Sequence, residues 1–140
     1  AAQNVVAFYP LPDEPDLRPV LERYYQTKRI LLPVVQGDKM VIRQYEGQES
    51  LREGAFRIFE PQGQDLPLPS LQVDLVLVPG VAFDAAGHRL GRGKGYYDQF
   101  FASCPQVAAS YKLGIAFPFQ IVGEIPTEPH DIQMDEVLEV

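Results

Sequence analysis

Cysteine is almost missing from this chain of 140 residues; Cys104 stands alone. A single thiol excludes an internal disulfide framework and a cysteine-cluster zinc site. No apolar run approaches the roughly 18 residues of a membrane-spanning helix, and no secretory leader, internal repeat or linker is visible. A reducing cytoplasm is therefore the expected compartment. Cations are also short, 12 against 19 acids, for a formal net charge of −7. Such a chain is a poor candidate for general binding to nucleic acid or an anionic membrane. What is present is a core: 46% of residues are hydrophobic and 22% charged. Those fractions suit one globular domain and exclude a disordered tail, a collagen-like chain and a coiled coil. No long apolar stripe calls for a partner surface, so a monomer is expected.

The few cations are unevenly spread. From Leu113 to Val140 there is no Lys or Arg, while Glu124, Glu128, Asp131, Asp135, Glu136 and Glu139 all fall there. Arg89, Arg92 and Lys94 crowd into one short segment. Two readings stay open on charge alone. One is a solvated basic loop beside an acidic tail. The other is a local anion site in a negative protein, with carboxylates elsewhere available to a divalent cation.

Apolar periodicity predicts a buried strand over Val5–Tyr9, closed by Pro10 and Pro12. Asp16 is a candidate N-cap for a helix whose face is Leu17, Val20, Leu21 and Tyr24, with Lys28-Arg29 at its C-terminal end. Strands are predicted over Ile30–Val35, Met40–Arg43, Leu75–Val78 and Leu113–Ala116. The Pro- and Gly-rich stretch from Glu46 to Gln72 reads as loop, with a helical turn near Ser50–Glu53. Tyr96–Ser103 reads as a helix, and Val137–Val140 as a strand that closes the sheet. Apolar strands alternating with amphipathic helices predict a single α/β domain of three layers. The sheet is parallel or mixed and flanked by helices, Rossmann-like, of the ribose-phosphate-isomerase or CoA-transferase kind. In such folds ligands gather at the carboxyl ends of the strands.

One segment carries the chemistry. Leu75–Val78 runs into Pro79-Gly80-Val81-Ala82-Phe83-Asp84, and then into Gly87-His88-Arg89-Leu90-Gly91-Arg92-Gly93-Lys94-Gly95-Tyr96-Tyr97-Asp98. Glycines 91, 93 and 95 let the backbone turn sharply with N–H groups facing inward. The next helix adds its positive N-terminal end. Interleaved Arg and Lys side chains complete what a polyphosphate needs. The motif is not a P-loop, since no Gly-Lys-Ser/Thr ending follows, and its glycine spacing is not the dinucleotide fingerprint. Asp98 either complements the helix dipole or holds Mg²⁺ against bound phosphates. Adjacent Tyr96 and Tyr97 point about 100° apart on a helix. Either one is core and one surface, or one lines the substrate pocket.

The run from Pro79 to Asp84, with Gly87 and the Arg89–Asp98 segment, closely resembles the signature of the 5-formyltetrahydrofolate cyclo-ligase (5,10-methenyltetrahydrofolate synthetase) family. Phe119-Gln120, Ile125-Pro126, His130-Asp131 and Met134-Asp135-Glu136-Val137 are similar to that family's C-terminal region. Val5–Glu14 resembles its substrate-binding strand and loop. The resemblance covers nearly the whole chain. It implies an ATP- and Mg²⁺-dependent enzyme. The γ-phosphoryl group passes to the N5-formyl oxygen of 5-formyltetrahydrofolate, with or without a polyglutamate tail. N10 then attacks the activated carbon, giving 5,10-methenyltetrahydrofolate, ADP and phosphate.

Carried over by position, the resemblance implies that Arg89, Leu90, Gly91, Arg92, Gly93, Lys94, Gly95, Tyr96 and Tyr97 bind ATP. Arg92, Gly93, Lys94, Gly95 and Tyr96 also face the folate, together with Tyr9 and Glu14. Arg92, Lys94 and Tyr96 are the implied catalytic residues, and Asp98 and Asp131 the implied magnesium ligands. From the residues alone, Glu14 is a helix-start charge and Asp131 a turn residue beside Pro129. The family carries an N-terminal basic helix that reaches the nucleotide. No such helix precedes Val5, so residues 1–140 are expected to be a single cyclo-ligase domain without it, or a chain lacking upstream residues. Two alternatives follow: a non-catalytic nucleotide- or folate-binding relative, or another enzyme on the same architecture. Cys104 is expected to be inert, His88 solvated, and His130 a surface residue. Arg57 and Glu60 either border the pocket or close a loop.

Overall fold

The computed structural model describes residues 4–37, 39–54, 59–66, 72–91, 96–127 and 132–140. In chain order they form β1 (Asn4–Val6), α1 (Arg18–Tyr24), β2 (Arg29–Gln36), β3 (Lys39–Gln44), β4 (Leu51–Glu53), β5 (Phe59–Pro61), β6 (Leu75–Val78), β7 (Ala82–Phe83), β8 (Arg89–Leu90), α2 (Tyr96–Ser103), α3 (Pro105–Ala108), β9 (Tyr111–Ala116) and β10 (Glu136–Glu139). Six strands make one mixed sheet in the order β10-β9-β6-β1-β2-β3. Every neighbouring pair is parallel except β2 with β3, which form an antiparallel hairpin.

Strand residues alternate between two cores, as period-two geometry requires. Val5, Ala7, Ile30, Leu32, Leu77 and Ile115 face one side, where Leu17 and Leu21 at helix α1 cover them. Val6, Leu31, Val76, Val78 and Ala116 face the other, under Phe100, Phe101 and Val107 of α2 and α3. Three layers result, as expected. Cys104 is buried in the second core, where it packs as a small apolar side chain.

Several boundaries differ from the sequence expectation. β1 ends at Val6, although the Ala7 N–H still reaches Leu31 O at 2.9 Å and Phe8 stays buried. Leu17, not Asp16, occupies the cap of α1. Asp16 Oδ1 nevertheless accepts the Arg18 N–H at 3.0 Å, and Arg18 Nε at 2.8 Å. Val20 is exposed, so the helix buries a narrower stripe than expected. Lys28 and Arg29 do not close this helix. The N–H groups of Thr27 and Lys28 both fold back onto Tyr24 O, and Arg29 opens β2.

The expected turn near Ser50–Glu53 lies earlier, as a 3₁₀ turn over Gln48–Ser50, and Leu51–Glu53 is instead strand β4, paired with β5. Beyond the end of β1, β2 has a bare edge. Pro33 offers no N–H there, and Glu60 Oε2 accepts the Val35 N–H at 3.3 Å. Glu60 therefore closes a sheet edge, and Arg57 lies outside the described residues.

Candidate functional site

The carboxyl ends of β1, β2, β6 and β9 open onto one rim of the sheet. After β1 the chain moves through α1 to β2 on one side. After β6 it moves through α2 and α3 to β9 on the other. Between β1 and β6 the winding reverses, which leaves a crevice at their carboxyl ends.

Three segments converge on this crevice. From the loop after β1, Glu14 turns inward and is buried. Its Oε1 accepts the Leu11 N–H at 2.7 Å, and its own N–H reaches Leu11 O at 3.0 Å. From β8, Arg89 donates through Nε to Pro79 O at 2.6 Å, just beyond β6. Its guanidinium carbon lies 4.8 Å from the centre of the Tyr97 ring. A Cβ on Gly91 would come within 3.0 Å of that guanidinium, so glycine keeps the space clear. From α2, Tyr97 is the meeting point. Burial lifts its hydroxyl above the ordinary phenol range, Arg89 pulls it down and Glu14 raises it again. Glu14, Arg89 and Tyr97 thus form one electrostatic cluster, and the Tyr97 hydroxyl stays protonated at neutral pH.

Tyr96 diverges from Tyr97, as helical geometry requires. Its hydroxyl donates to Gly37 O at 3.2 Å, beyond the end of β2. Both tyrosines are half-buried, so neither is simply core or simply surface. Tyr9 stands at the rim with its ring edge-on to Phe59, centres 5.6 Å apart. Leu90 is exposed, and its carbonyl accepts the Val81 N–H at 2.7 Å. Asp98 occupies the first turn of α2, half-buried, with Oδ1 3.5 Å from the Ile132 N–H. Arg92, Gly93, Lys94, Gly95, His130 and Asp131 lie outside the described residues. Among the described residues, no three His, Cys, Asp or Glu side chains cluster as a metal site.

Arg89 is held by a frame that the periodicity of the sequence does not announce. Asp84 is buried and accepts from the N–H groups of Ala86 (3.1 Å), His88 (2.9 Å) and Ile125 (3.0 Å). It also accepts from His88 Nδ1 at 2.9 Å. Burial works against its charge. Hydrogen bonds from the His88 ring and from the His88 and Ile125 N–H groups overcome that and hold its pKa down to about 2. His88 is therefore a bonded, half-buried partner and not a solvated loop residue. The Asp-Ala-Ala-Gly spacing before His88 is the local signal, since Asp favours turns in which its side chain takes nearby N–H groups. Gly87 sits at φ +90°, and a Cβ there would fall 2.4 Å from Met134 O.

Gln120, which the sequence offers only as part of the resemblance, holds two segments together. Its Oε1 accepts the Phe117 N–H at 2.9 Å, and its Nε2 donates to Gly80 O at 3.0 Å. It thereby ties the 3₁₀ turn Pro118–Gln120 to the rim of β6. A cavity of about 430 Å³ opens there, lined by Pro12, Asp13, Val81, Phe117, Phe119 and Gln120. No helix among the described residues is long and apolar enough to cross a membrane.

Comparison with known proteins agrees with this architecture. The profile of the 5-formyltetrahydrofolate cyclo-ligase family matches residues 1–140. The 5-formyltetrahydrofolate cyclo-ligase of Mus musculus is 30% identical over 148 residues, covering 98% of this chain and 73% of that protein. The Escherichia coli protein of the same name is 32% identical over 143 residues, covering 98% and 78%. Among solved structures, the NMR structure of Aquifex aeolicus 5,10-methenyltetrahydrofolate synthetase superposes with a TM-score of 0.81 at 34% identity, covering 99% of this chain and 69% of that one. The Mycoplasma pneumoniae 5,10-methenyltetrahydrofolate synthetase shares the fold, with a TM-score of 0.72 at 24% identity, covering 98% and 73%.

Proposed function

The chain belongs to the 5-formyltetrahydrofolate cyclo-ligase family, and from that premise we propose that it closes 5-formyltetrahydrofolate to 5,10-methenyltetrahydrofolate at the expense of ATP. The observation that carries this reading is Arg89, fixed between Pro79 O and the Tyr97 ring just beyond β6, with the buried Glu14 carboxylate of the loop after β1 near enough to act on the same hydroxyl. An acceptor for a pterin and a fixed cation for a phosphate stand on the two sides of one crevice.

The formyl oxygen on N5 is a poor leaving group. Transfer of the γ-phosphoryl group makes it a phosphate ester of an activated imine carbon. N10 attacks that carbon and gives up its proton to solvent, the ring closes, and phosphate departs with the bonding electrons and the oxygen. The protein's part is positioning and charge neutralisation. Arg89, held between Pro79 O and the Tyr97 ring, presents its charge without having to reorganise. The protonated Tyr97 hydroxyl is a donor for a phosphate oxygen. The roles proposed for Arg92, Gly93, Lys94 and Gly95 are to bind the triphosphate together with Leu90 and Gly91, with Arg92, Lys94 and Tyr96 as the residues that assist the transfer. Tyr9 and Glu14 hold the folate, the Glu14 carboxylate accepting paired N–H donors of the pterin.

Asp98, half-buried in the first turn of α2, offers the hard oxygen donors that magnesium takes, with Asp131 as its partner. Magnesium bound there would neutralise phosphate charge. The decisive assay mixes the protein with Mg-ATP and 5-formyltetrahydrofolate and follows the near-ultraviolet absorbance of the methenyl product. Product formed only when ATP is present supports the reading. A folded protein that forms none rejects it.

A further inference from the structure

Phe119 is the most exposed large apolar side chain among the described residues, at 77%. Its ring lies nearly parallel to Phe117, centres 5.5 Å apart and planes 18° apart. One face of this stack is thus covered from within, and Phe119 stands outermost. The platform is fixed, because Gln120 clamps its turn to Gly80 at the rim of β6. Val81 and Pro12 complete an apolar wall, and the cavity of about 430 Å³ has the size of a small-molecule site. Asp13 is the charged lining residue.

We infer that this cavity is a ring-binding subsite in which a planar aromatic group of a co-substrate stacks on Phe119. The inference rests on the cyclo-ligase reading above, whose two co-substrates each carry such a group: the purine of ATP and the aryl ring beyond the pterin of the folate. Stacking a flat ring on an aromatic side chain is favourable and needs no donor pattern.

The chain contains no tryptophan, so Phe119→Trp installs a single fluorescent reporter on the platform. This variant is titrated with Mg-ATP, with p-aminobenzoylglutamate, and with tripolyphosphate as a control that has no ring. Its emission should respond saturably to ATP or to p-aminobenzoylglutamate, and not to tripolyphosphate. Phe119→Ala should raise the KM of that same co-substrate about tenfold with little change in kcat. Phe119→Trp should restore it. A response to ATP assigns the purine, and a response to p-aminobenzoylglutamate assigns the aryl ring. Emission blind to both, or KM values unchanged in Phe119→Ala, overturns the subsite. If the wild-type protein forms no methenyl product, the cyclo-ligase reading fails, and the tryptophan titrations alone decide whether the cavity takes a ring.

Discussion

Asp84 accepts the N–H of Ile125 at 3.0 Å across 41 residues of chain. The same carboxylate takes the N–H groups of Ala86 and His88 and the His88 ring. One buried charge therefore shapes the turn that delivers Arg89, and ties that turn to the segment following β9. His88, next to Arg89, is held from both its backbone and its side chain.

This arrangement has a pH signature. The folded-state pKa of Asp84, about 2, lies below its ordinary 3.8. The folded state therefore prefers the ionised form. Its contribution is complete above about pH 4 and drains away as pH falls toward 2. Asp16, also held to about 2 by Arg18, titrates in the same window, so wild type must be compared with Asp84→Asn. The variant keeps one carbonyl oxygen for neighbouring N–H groups, but its amide nitrogen meets either the Ile125 N–H and the His88 ring, which share Oδ2, or the Ala86 and His88 N–H groups, which share Oδ1. Urea midpoints should differ most at pH 5 to 7 and converge near pH 2. A difference that stays constant across this range would contradict the role given to the charge.

Phe83 is fully buried between two glycines. A Cβ on Gly114 would lie 2.6 Å from its ring, and one on Gly80 2.9 Å. Gly114→Ala should cost about 1–3 kcal/mol as overpacking. Gly123, with open space around its Cα, should accept alanine within about 0.5 kcal/mol. Adding Phe83→Leu should recover part of the Gly114→Ala loss, because the two sites share one contact. Equilibrium urea unfolding of the four proteins measures each quantity.

The strands were legible in the sequence because runs such as Leu75–Val78 are apolar on both faces and end in Pro-Gly. Leu51–Glu53 was not, because its strand character comes from pairing with Phe59–Pro61, and no local pattern records that partner. Lys28 and Arg29 looked like the end of a helix, but the chain turns at Tyr24 and spends Arg29 on β2. At the site, the divergence of Tyr96 and Tyr97 follows from helical geometry alone. The bond between His88 and Asp84 is formed inside a loop, where periodicity says nothing, so His88 read as solvated. Phe119 lies in a single 3₁₀ turn, too short to show a face.

Glu14 spends one carboxylate oxygen on the Leu11 N–H. Glu14→Gln keeps an acceptor for that bond and removes the charge. The fold should therefore survive, with the thermal midpoint changed little, while the variant loses charge-assisted acceptance of pterin donors. KM for 5-formyltetrahydrofolate should rise about 10- to 100-fold, with KM for ATP held within about threefold. Equal increases in both would place Glu14 outside the folate side of the crevice.

Asp98 offers a test that separates metal binding from folding. Its Oδ1 is 3.5 Å from the Ile132 N–H, and asparagine retains an oxygen for that contact. Asp98→Asn should lower the thermal midpoint only slightly, because among the described contacts the charge of the carboxylate serves the positive end of α2. Magnesium, in contrast, prefers an anionic oxygen to an amide oxygen. Turnover measured against magnesium concentration at saturating ATP and folate should then shift its half-maximal point upward by about tenfold or more. A drop in kcat with an unchanged magnesium requirement would assign Asp98 to the geometry of α2 and remove it from the metal site. An unchanged profile together with unchanged kcat would show that the carboxylate serves only the positive end of the helix, where its loss costs a few tenths of a kcal/mol to about 1 kcal/mol.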